Sequence, residues 1–556
     1  MRKSIKKVTS ALLALLVAFG STGLVACGGG NGGQSEENVD TTKTQIYIGN
    51  QNYGFGDAWL ISAKQKFEAE FANTEFEPGK KGVQVFYLNG SGYGANTLLQ
   101  SISTQNCDIF FGESTNYMDY IKGGAMLDIS DMVTEKLTAY GETRSISDKL
   151  IDCFDEYLNY KGKYYALPNY ECNYMITYNI DYFETNNLYF KEDGSYVKSL
   201  TDKRSKGPDG VEGNYDDGLP RTFDEFFKLC KSIKGKGDTP ICWPGGIDSY
   251  RNVYLGTLHN SIEGKESKYG YTFDGSQATR LIKEFDKNGK PVYDEPTAIN
   301  ESNGYEIYRQ AGRYYAIKFF EEILENGYCT DGSTGSLNHL YNQADYINSR
   351  FEDVGEGTIA MLFDGNFWTN EATDAFTQSV ADFGEEASKE NARFGVMPIP
   401  NPTDEAIWAG KNSYAISGNN LAFIYAKTPE NRIKACKAFL QYLYSDKMLK
   451  DYTQIVGTAR GCDVTFTETE LEGLTEYTRA TLQYRAESDL VITASHAALY
   501  ENNMTAFGLL NGMSSTLETD LSDAIMYLRS NNNKSIDSAK TYFEGIVKYY
   551  RTNWYV

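Results

Sequence analysis

Short apolar runs alternate with amphipathic stretches along the chain after residue 44, and few folds accept that rhythm. Gln45 to Gly49 (QIYIG), Gly82 to Leu88 (GVQVFYL) and Cys107 to Gly112 (CDIFFG) read as buried strands. Between and after them, Ala58 to Asn73, Ala95 to Thr104 and Asn116 to Gly123 carry apolar residues at helical spacing. Strands alternating with helices of this length predict βαβ units on open, largely parallel sheets, an α/β fold. Further on, Thr239 to Trp243 (TPICW), Gly357 to Phe363 (GTIAMLF) and Phe394 to Pro400 (FGVMPIP) read as strands. Phe223–Ile233, Tyr314–Asn326, Pro429 to Tyr452 and Ser538 to Arg551 read as helices. Tyr164 to Asn179 is extended and aromatic, broken by Pro168, as a segment crossing between two lobes would be.

The first residues say where such a fold would work. Arg2, Lys3, Lys6 and Lys7 precede the apolar run Ala11 to Phe19, which is too short to span a bilayer. Leu24-Val25-Ala26-Cys27 and three glycines follow, the pattern of a bacterial lipobox in which Cys27 is acylated and becomes the mature N-terminus. Residues 1–27 are therefore expected to be a lipoprotein signal. Residues 28–44, Gly-rich and polar, are expected to be a flexible tether spanning roughly 20–25 Å.

Charge and composition exclude some partners. The formal charge falls from −22 to −26 once the four cations of the signal are removed, which argues against nucleic acid and polyanions. The 43 tyrosines suit a wet, amphipathic site for neutral polar ligands. His259, His339 and His496 are the only histidines; none has zinc-ligand spacing, and no GxSxG motif is present. Apart from Cys27, eight cysteines lie at irregular spacings without a CxxC pair, so most are expected to be buried small residues, with one or two disulfides permitted. No cofactor is implied.

The order of KQKFEAEF, GVQVFYL, CDIFFGE, GGAMLDISD, KYYALPNYECNYMITYNIDYFE, GEGTIAMLFDGNFW, FGVMPIPN and KACKAFLQYLYSDKMLKDY resembles the family 1 extracellular solute-binding proteins, the maltose-binding-protein group. The resemblance runs nearly end to end. It implies a two-lobe, hinged, type II periplasmic-binding-protein-like fold, with ligand in the interlobe cleft at the carboxyl ends of the strands. It also implies lobes of 45–165 plus 364–412 and 166–363 plus 413–556. The function it implies is capture of a carbohydrate, a neutral oligosaccharide, by a lipid-anchored monomer that delivers it to ABC permease subunits at the membrane. An enzymatic role is not implied. Two other readings stay open: a surface glycoside hydrolase or lyase, and a binding protein for a peptide or polyamine.

Ligand-site candidates are residues at strand-to-loop junctions that could stack under a sugar ring or accept its hydroxyls. These are Tyr53 and Phe55 after the first strand, Glu113 and Asn116 after CDIFFG, Tyr170 and Glu171 past Pro168, and Trp243 after TPICW. Asp364, Asn366 and Trp368 follow GTIAMLF, and the resemblance places this tryptophan near the site; Arg460 is a possible donor to hydroxyls. A second constellation, Asp209, Asn214, Asp216 and Asp217 within PDGVEGNYDDGLP, suits a hard cation such as structural calcium. The alternative is a solvated acidic turn, with Asp224 capping the next helix.

Overall fold

The structure is a computed structural model that describes residues 38–51, 54–89, 98–113, 115–246, 248–268, 274–334, 339–403, 412–492 and 538–554. Cys27, Tyr53 and Trp408 lie outside the described residues. Strands are β1 (Thr44–Asn50), β2 (Val83–Asn89), β3 (Ile109–Gly112), β4 (Leu167–Pro168), β5 (Tyr174–Asn179), β6 (Thr239–Cys242), β7 (Asp274–Ala278), β8 (Ile282–Phe285), β9 (Pro291–Tyr293), β10 (Thr297–Asn300), β11 (Ile359–Gly365), β12 (Phe394–Met397), β13 (Ser413–Ile416), β14 (Leu421–Ile424) and β15 (Asp489–Ile492). The longer helices are α1 (Ala58–Glu70), α2 (Phe223–Lys234), α3 (Asp248–Glu263), α4 (Ala311–Asn326), α5 (His339–Asn348), α6 (Thr373–Phe383), α7 (Glu430–Leu443), α8 (Asp446–Val456), α9 (Glu476–Glu487) and α10 (Ser538–Asn553).

Local chemistry accounts for these elements. In α2, Phe223, Phe226, Leu229, Cys230 and Ile233 are buried at helical spacing, and the Thr222 side chain accepts from Glu225 N at the N-terminus. Asp224 and Glu225 in the first turn and Lys231 and Lys234 in the last complement the helix dipole. The expected capping role of Asp224 thus belongs to Thr222. In α8, Ser445 caps the start and Gly457, at φ +84°, takes the left-handed conformation that ends it.

Two open sheets organise the chain. The first has the order β2-β1-β3-β14-β4, with β2 and β3 parallel to β1 and β14 antiparallel to both β3 and β4. The second has the order β12-β5-β11-β6, with β11 antiparallel to β5 and parallel to β6. Smaller pairings join β7 to β10, β8 to β9 and β13 to β15. Along β6 and just past it, Ile241 and Trp243 enter one core cluster and Cys242 the other, as the two-residue pleat requires of a sheet covered on both faces.

The lobe boundaries differ from those expected. Phe394–Met397 pairs with β5 and so belongs to the second sheet, while Leu421–Ile424 pairs within the first; the described residues 364–403 stay in the second lobe. The two helices α7 and α8 pack on the first lobe, against β1, β14 and α1, whereas α10 packs against α4 in the second. The return crossing therefore falls at 417–420 rather than at 364. Among the described residues, three segments connect the lobes: 169–173, 417–420 and 457–475.

None of the eight cysteines from Cys107 to Cys462 forms a disulfide; six are buried and two half-buried, so the permitted bridges are not formed. Among the described residues, no helix is long and apolar enough to cross a membrane.

Candidate functional site

The three connecting segments are laced together by buried hydrogen bonds. Asn169 N donates to Asn420 O (2.8 Å), Ser417 N to Cys172 O (2.9 Å) and Glu171 N to Ala459 O (3.2 Å). Glu171 has no solvent exposure; its carboxylate accepts from Gly461 N (2.8 Å) and from Arg485 Nε on α9 (2.7 Å). Burial beside that carboxylate locks the Arg485 guanidinium in its charged form, because the attraction of Glu171 and Asp463 outweighs desolvation. Asn366 donates from Nδ2 to Glu171 O (2.9 Å) and from its backbone to Asn173 O (2.8 Å). Arg460 donates from Nε to Asn169 O (2.8 Å), with its guanidinium carbon 4.1 Å from the Trp59 ring centroid and 4.2 Å from that of Tyr452. Glu171, Asn366 and Arg460, expected at the ligand, are thus engaged in binding the hinge strands to one another.

Beside this hinge, aromatic side chains from both lobes meet. Phe55, in the turn after β1, stacks on Tyr170 (centroids 3.8 Å) and tilts onto Phe367, just past β11 (4.8 Å). Tyr174 stands edge-on to Phe367 (5.9 Å), Tyr250 (6.1 Å) and Tyr254 (5.7 Å), the last two one turn apart on α3. Glycine makes room for the meeting: a Cβ on Gly54, which has φ +60°, or on Gly365 would lie 2.3 or 2.2 Å from the Phe367 ring.

A polar network backs these rings. The Gln343 amide on α5 donates to Asp364 Oδ2 (2.9 Å) and to Glu371 Oε2 (2.7 Å), and the Tyr250 hydroxyl donates to Glu371 Oε1 (3.0 Å). Asp364 is fully buried at the end of β11 and accepts from Gly365 N (2.7 Å). Burial first, then the Glu371 charge, holds the Asp364 carboxyl well above the ordinary carboxylate range. Glu371, Tyr174 and Tyr250 are half-buried and reach the surface; Asp364, Gln343 and Tyr254 stand behind them. On the first-lobe side, Glu113 donates its backbone N–H to Gln51 Oε1 (2.6 Å), and burial followed by the Glu113 charge raises the Tyr170 hydroxyl. Asn116 precedes the short helix Tyr117–Lys122 and is half-buried.

Phe55, Glu113, Tyr170 and Asp364 therefore fall around one meeting of the lobes, and the structure adds Tyr174, Tyr250, Tyr254, Gln343, Phe367 and Glu371. Tyr250 and Tyr254 sit four residues apart on one helix face, a signal that is visible in the sequence once α3 is placed.

The two tryptophans are elsewhere. Trp243 has no exposure and stands edge-on to Phe320 (5.4 Å) inside the second lobe. Trp368, equally buried, packs among Tyr346, Phe376, Phe394 and Tyr477 at 5.1–6.1 Å. Both are core residues: the pleat and the helix start turn them inward, against the expectation that they face the cleft.

The acidic loop is compact. Its Asp216 is fully buried and Asp209 donates its backbone N–H to Asp216 Oδ2 (3.1 Å). Among the described residues, no group of three or more His, Cys, Asp or Glu side chains is placed to hold a metal ion.

The pairing of two open α/β sheets, three connecting segments and a ring-lined meeting of lobes defines a hinged binding protein. The chain belongs to the family of bacterial extracellular solute-binding proteins, whose model matches residues 58–450. Among curated proteins, none matches the sequence significantly. Solved structures share the fold at low identity. A chitin oligosaccharide binding protein is 17% identical, with a TM-score of 0.54, and the match covers 92% of this chain and 99% of that one. The mannobiose-bound protein BlMnBP1 of an ABC transporter from Bifidobacterium animalis subsp. lactis is 16% identical, with a TM-score of 0.53 and coverage of 92% and 95%. The apo form of RafE from Streptococcus pneumoniae is 15% identical, with a TM-score of 0.53 and coverage of 92% and 100%.

Proposed function

We propose that this protein captures a neutral oligosaccharide in the interlobe cleft and hands it to the permease of an ABC importer, held at the membrane by an acylated Cys27. The observation that carries the reading is the ring cluster Phe55, Tyr170, Tyr174, Tyr250 and Phe367 backed by Glu371. Flat aromatic faces match the CH face of a pyranose, and half-buried carboxylate and phenol oxygens accept or donate to its hydroxyls. Solved structures of the same fold include the oligosaccharide-binding proteins named above, which supports a sugar over a peptide or polyamine. The leader, the small residues before Cys27 and the Gly-rich stretch after it support the anchor.

Hydrolysis is disfavoured by the arrangement. A glycosidase needs two carboxylates flanking the scissile bond. Here Asp364 and Glu371 take hydrogen bonds from the same Gln343 nitrogen, and Asp364 has no exposure. Ligand would be bound and released unchanged.

Calorimetry of the mature chain against neutral oligosaccharides, uronates, peptides and polyamines tests the reading. Saturable binding of a neutral oligosaccharide, with no new reducing ends after prolonged incubation, is the expected result. Binding of a peptide or polyamine alone, or release of reducing ends, would reject it.

A further inference from the structure

Among the described residues, large apolar side chains left exposed are scattered singly along the chain, except for one adjacent pair, Leu340 and Tyr341, at 47% and 48% exposure. Isolated exposed hydrophobics are ordinary, whereas neighbouring ones at the rim of a cleft mark a contact surface. The pair lies in the first turn of α5, and two hydrogen bonds fix the direction of that helix. Ser349, just past its last residue, accepts through Oγ from Ile359 N at the start of β11 (3.1 Å). Gln343, near its start, donates to Asp364 close to the other end of β11 (2.9 Å). Helix α5 therefore runs antiparallel to β11, and its first turn stands at the carboxyl end of the sheet. That end is where Phe367 meets Phe55 of the first lobe (4.8 Å).

Leu340 precedes Gln343 by three residues and so shares its side of the helix, about 5 Å further out along the axis, with Tyr341 beside it. Side chains on a helix lean toward its N-terminus, which carries the pair past the Gln343 amide. That amide donates to Glu371 Oε2 (2.7 Å), and the Tyr250 hydroxyl donates to Glu371 Oε1 (3.0 Å). The exposed pair thus extends outward the wall formed by Tyr174, Tyr250 and Glu371. We propose that Tyr341 and Leu340 form an outer subsite that packs against a further ring of the oligosaccharide, so that longer chains bind better than the inner cluster alone allows. The inference rests on the sugar reading above and adds chain length to it. A phenol ring and a branched aliphatic chain offer an apolar face to sugar CH groups, and neither brings a charge that has to be desolvated. One helical turn is a step comparable with one sugar ring, so the ring held is the next along the chain.

The test is calorimetry of the mature chain with neutral oligosaccharides, α- and β-linked, each series running from disaccharide to pentasaccharide. In the wild type, affinity is expected to climb with length and then level off. Tyr341→Ala should remove most of that climb, about tenfold for the longest chain, and leave disaccharide affinity unchanged. Leu340→Ala should remove a smaller part, and Tyr341→Phe, which keeps the ring, should retain the gain. Tyr174→Ala, in the inner cluster, should instead weaken all lengths alike. Both outer side chains are exposed, so their variants are expected to melt with the wild type. Unaltered affinity at every length in both Tyr341→Ala and Leu340→Ala overturns the outer subsite and leaves the sugar reading standing. Equal loss at every length in Tyr341→Ala overturns it as well, by moving that ring into the inner cluster. A wild type that binds no member of any series rejects the sugar reading and the subsite together.

Discussion

The hinge and the ring cluster lie side by side but are built in opposite ways. In the hinge, Glu171, Asn366 and Arg460 are nearly or wholly buried, and their polar groups meet defined partners on the three connecting segments. In the cluster, Tyr174, Tyr250 and Glu371 are half-buried, and the tyrosine rings meet edge-on at about 6 Å. A pivot must keep its geometry while the lobes move, so its hydrogen bonds are internal. A wall that holds ligand, as proposed for the cluster, must exchange its contacts for those of a ligand, and the polar tips of Tyr174, Tyr250 and Glu371 stand at the surface. Stability should therefore reside in the first region and affinity in the second.

Substitutions should separate the two. Glu171→Ala leaves the buried Arg485 with only the exposed Asp463 as its charge partner and should cost about 3–5 kcal/mol of stability, read as a fall in the urea midpoint; a change below about 1 kcal/mol would deny the hinge its role. Trp368→Ala, a core cavity, should cost about 3–5 kcal/mol in the same measurement, while molecules that stay folded keep their ligand affinity. Loss of affinity without loss of stability would return Trp368 to the cleft. Tyr174→Ala should do the reverse, weakening ligand binding by about 2–3 kcal/mol with a small change in stability.

The smallest expected effect is on pH dependence. Glu263 is buried on α3, and burial pushes its carboxyl up to about 7 from an ordinary 4.5, despite the opposing Arg280 charge. The folded chain thus holds this proton more tightly than the unfolded chain. Its contribution is fully present below pH about 4.5 and is lost as pH rises toward 7, by about 1–3 kcal/mol. Glu263→Gln should flatten that slope in melts run across the range; an unaltered slope would remove Glu263 as its source.

Much of the fold was legible because periodicity reports burial directly. QIYIG, GVQVFYL and CDIFFG lie on β1, β2 and β3 within two residues at each end. Pro168 marked the first connecting segment, since proline ends a pairing strand and the chain leaves the sheet there. The lobe boundary was less legible: whether a strand such as FGVM joins the first or second sheet depends on pairing across 215 residues, from Phe394 to Asn179, which local pattern does not encode. The same holds for the site. Phe55, Tyr170 and Asp364 lie at the meeting of the lobes because they end strands or follow turns there. Trp243 was misplaced because a strand-end position leaves open which face of the pleat a side chain takes. Gln343 and Glu371 carry no local signal at all; only the packing of α5 beside β11 brings them together.

The account rests on the ring-and-carboxylate cluster as the place where ligand is held. The direct test is a calorimetric titration of the oligosaccharide that binds the wild type into Tyr250→Phe, Glu371→Gln and the double variant, all verified as folded by melting. Affinity falling about tenfold in each single variant, with a double loss smaller than the sum because the two groups share one hydrogen bond, is the predicted result. Wild-type affinity in all three would contradict it.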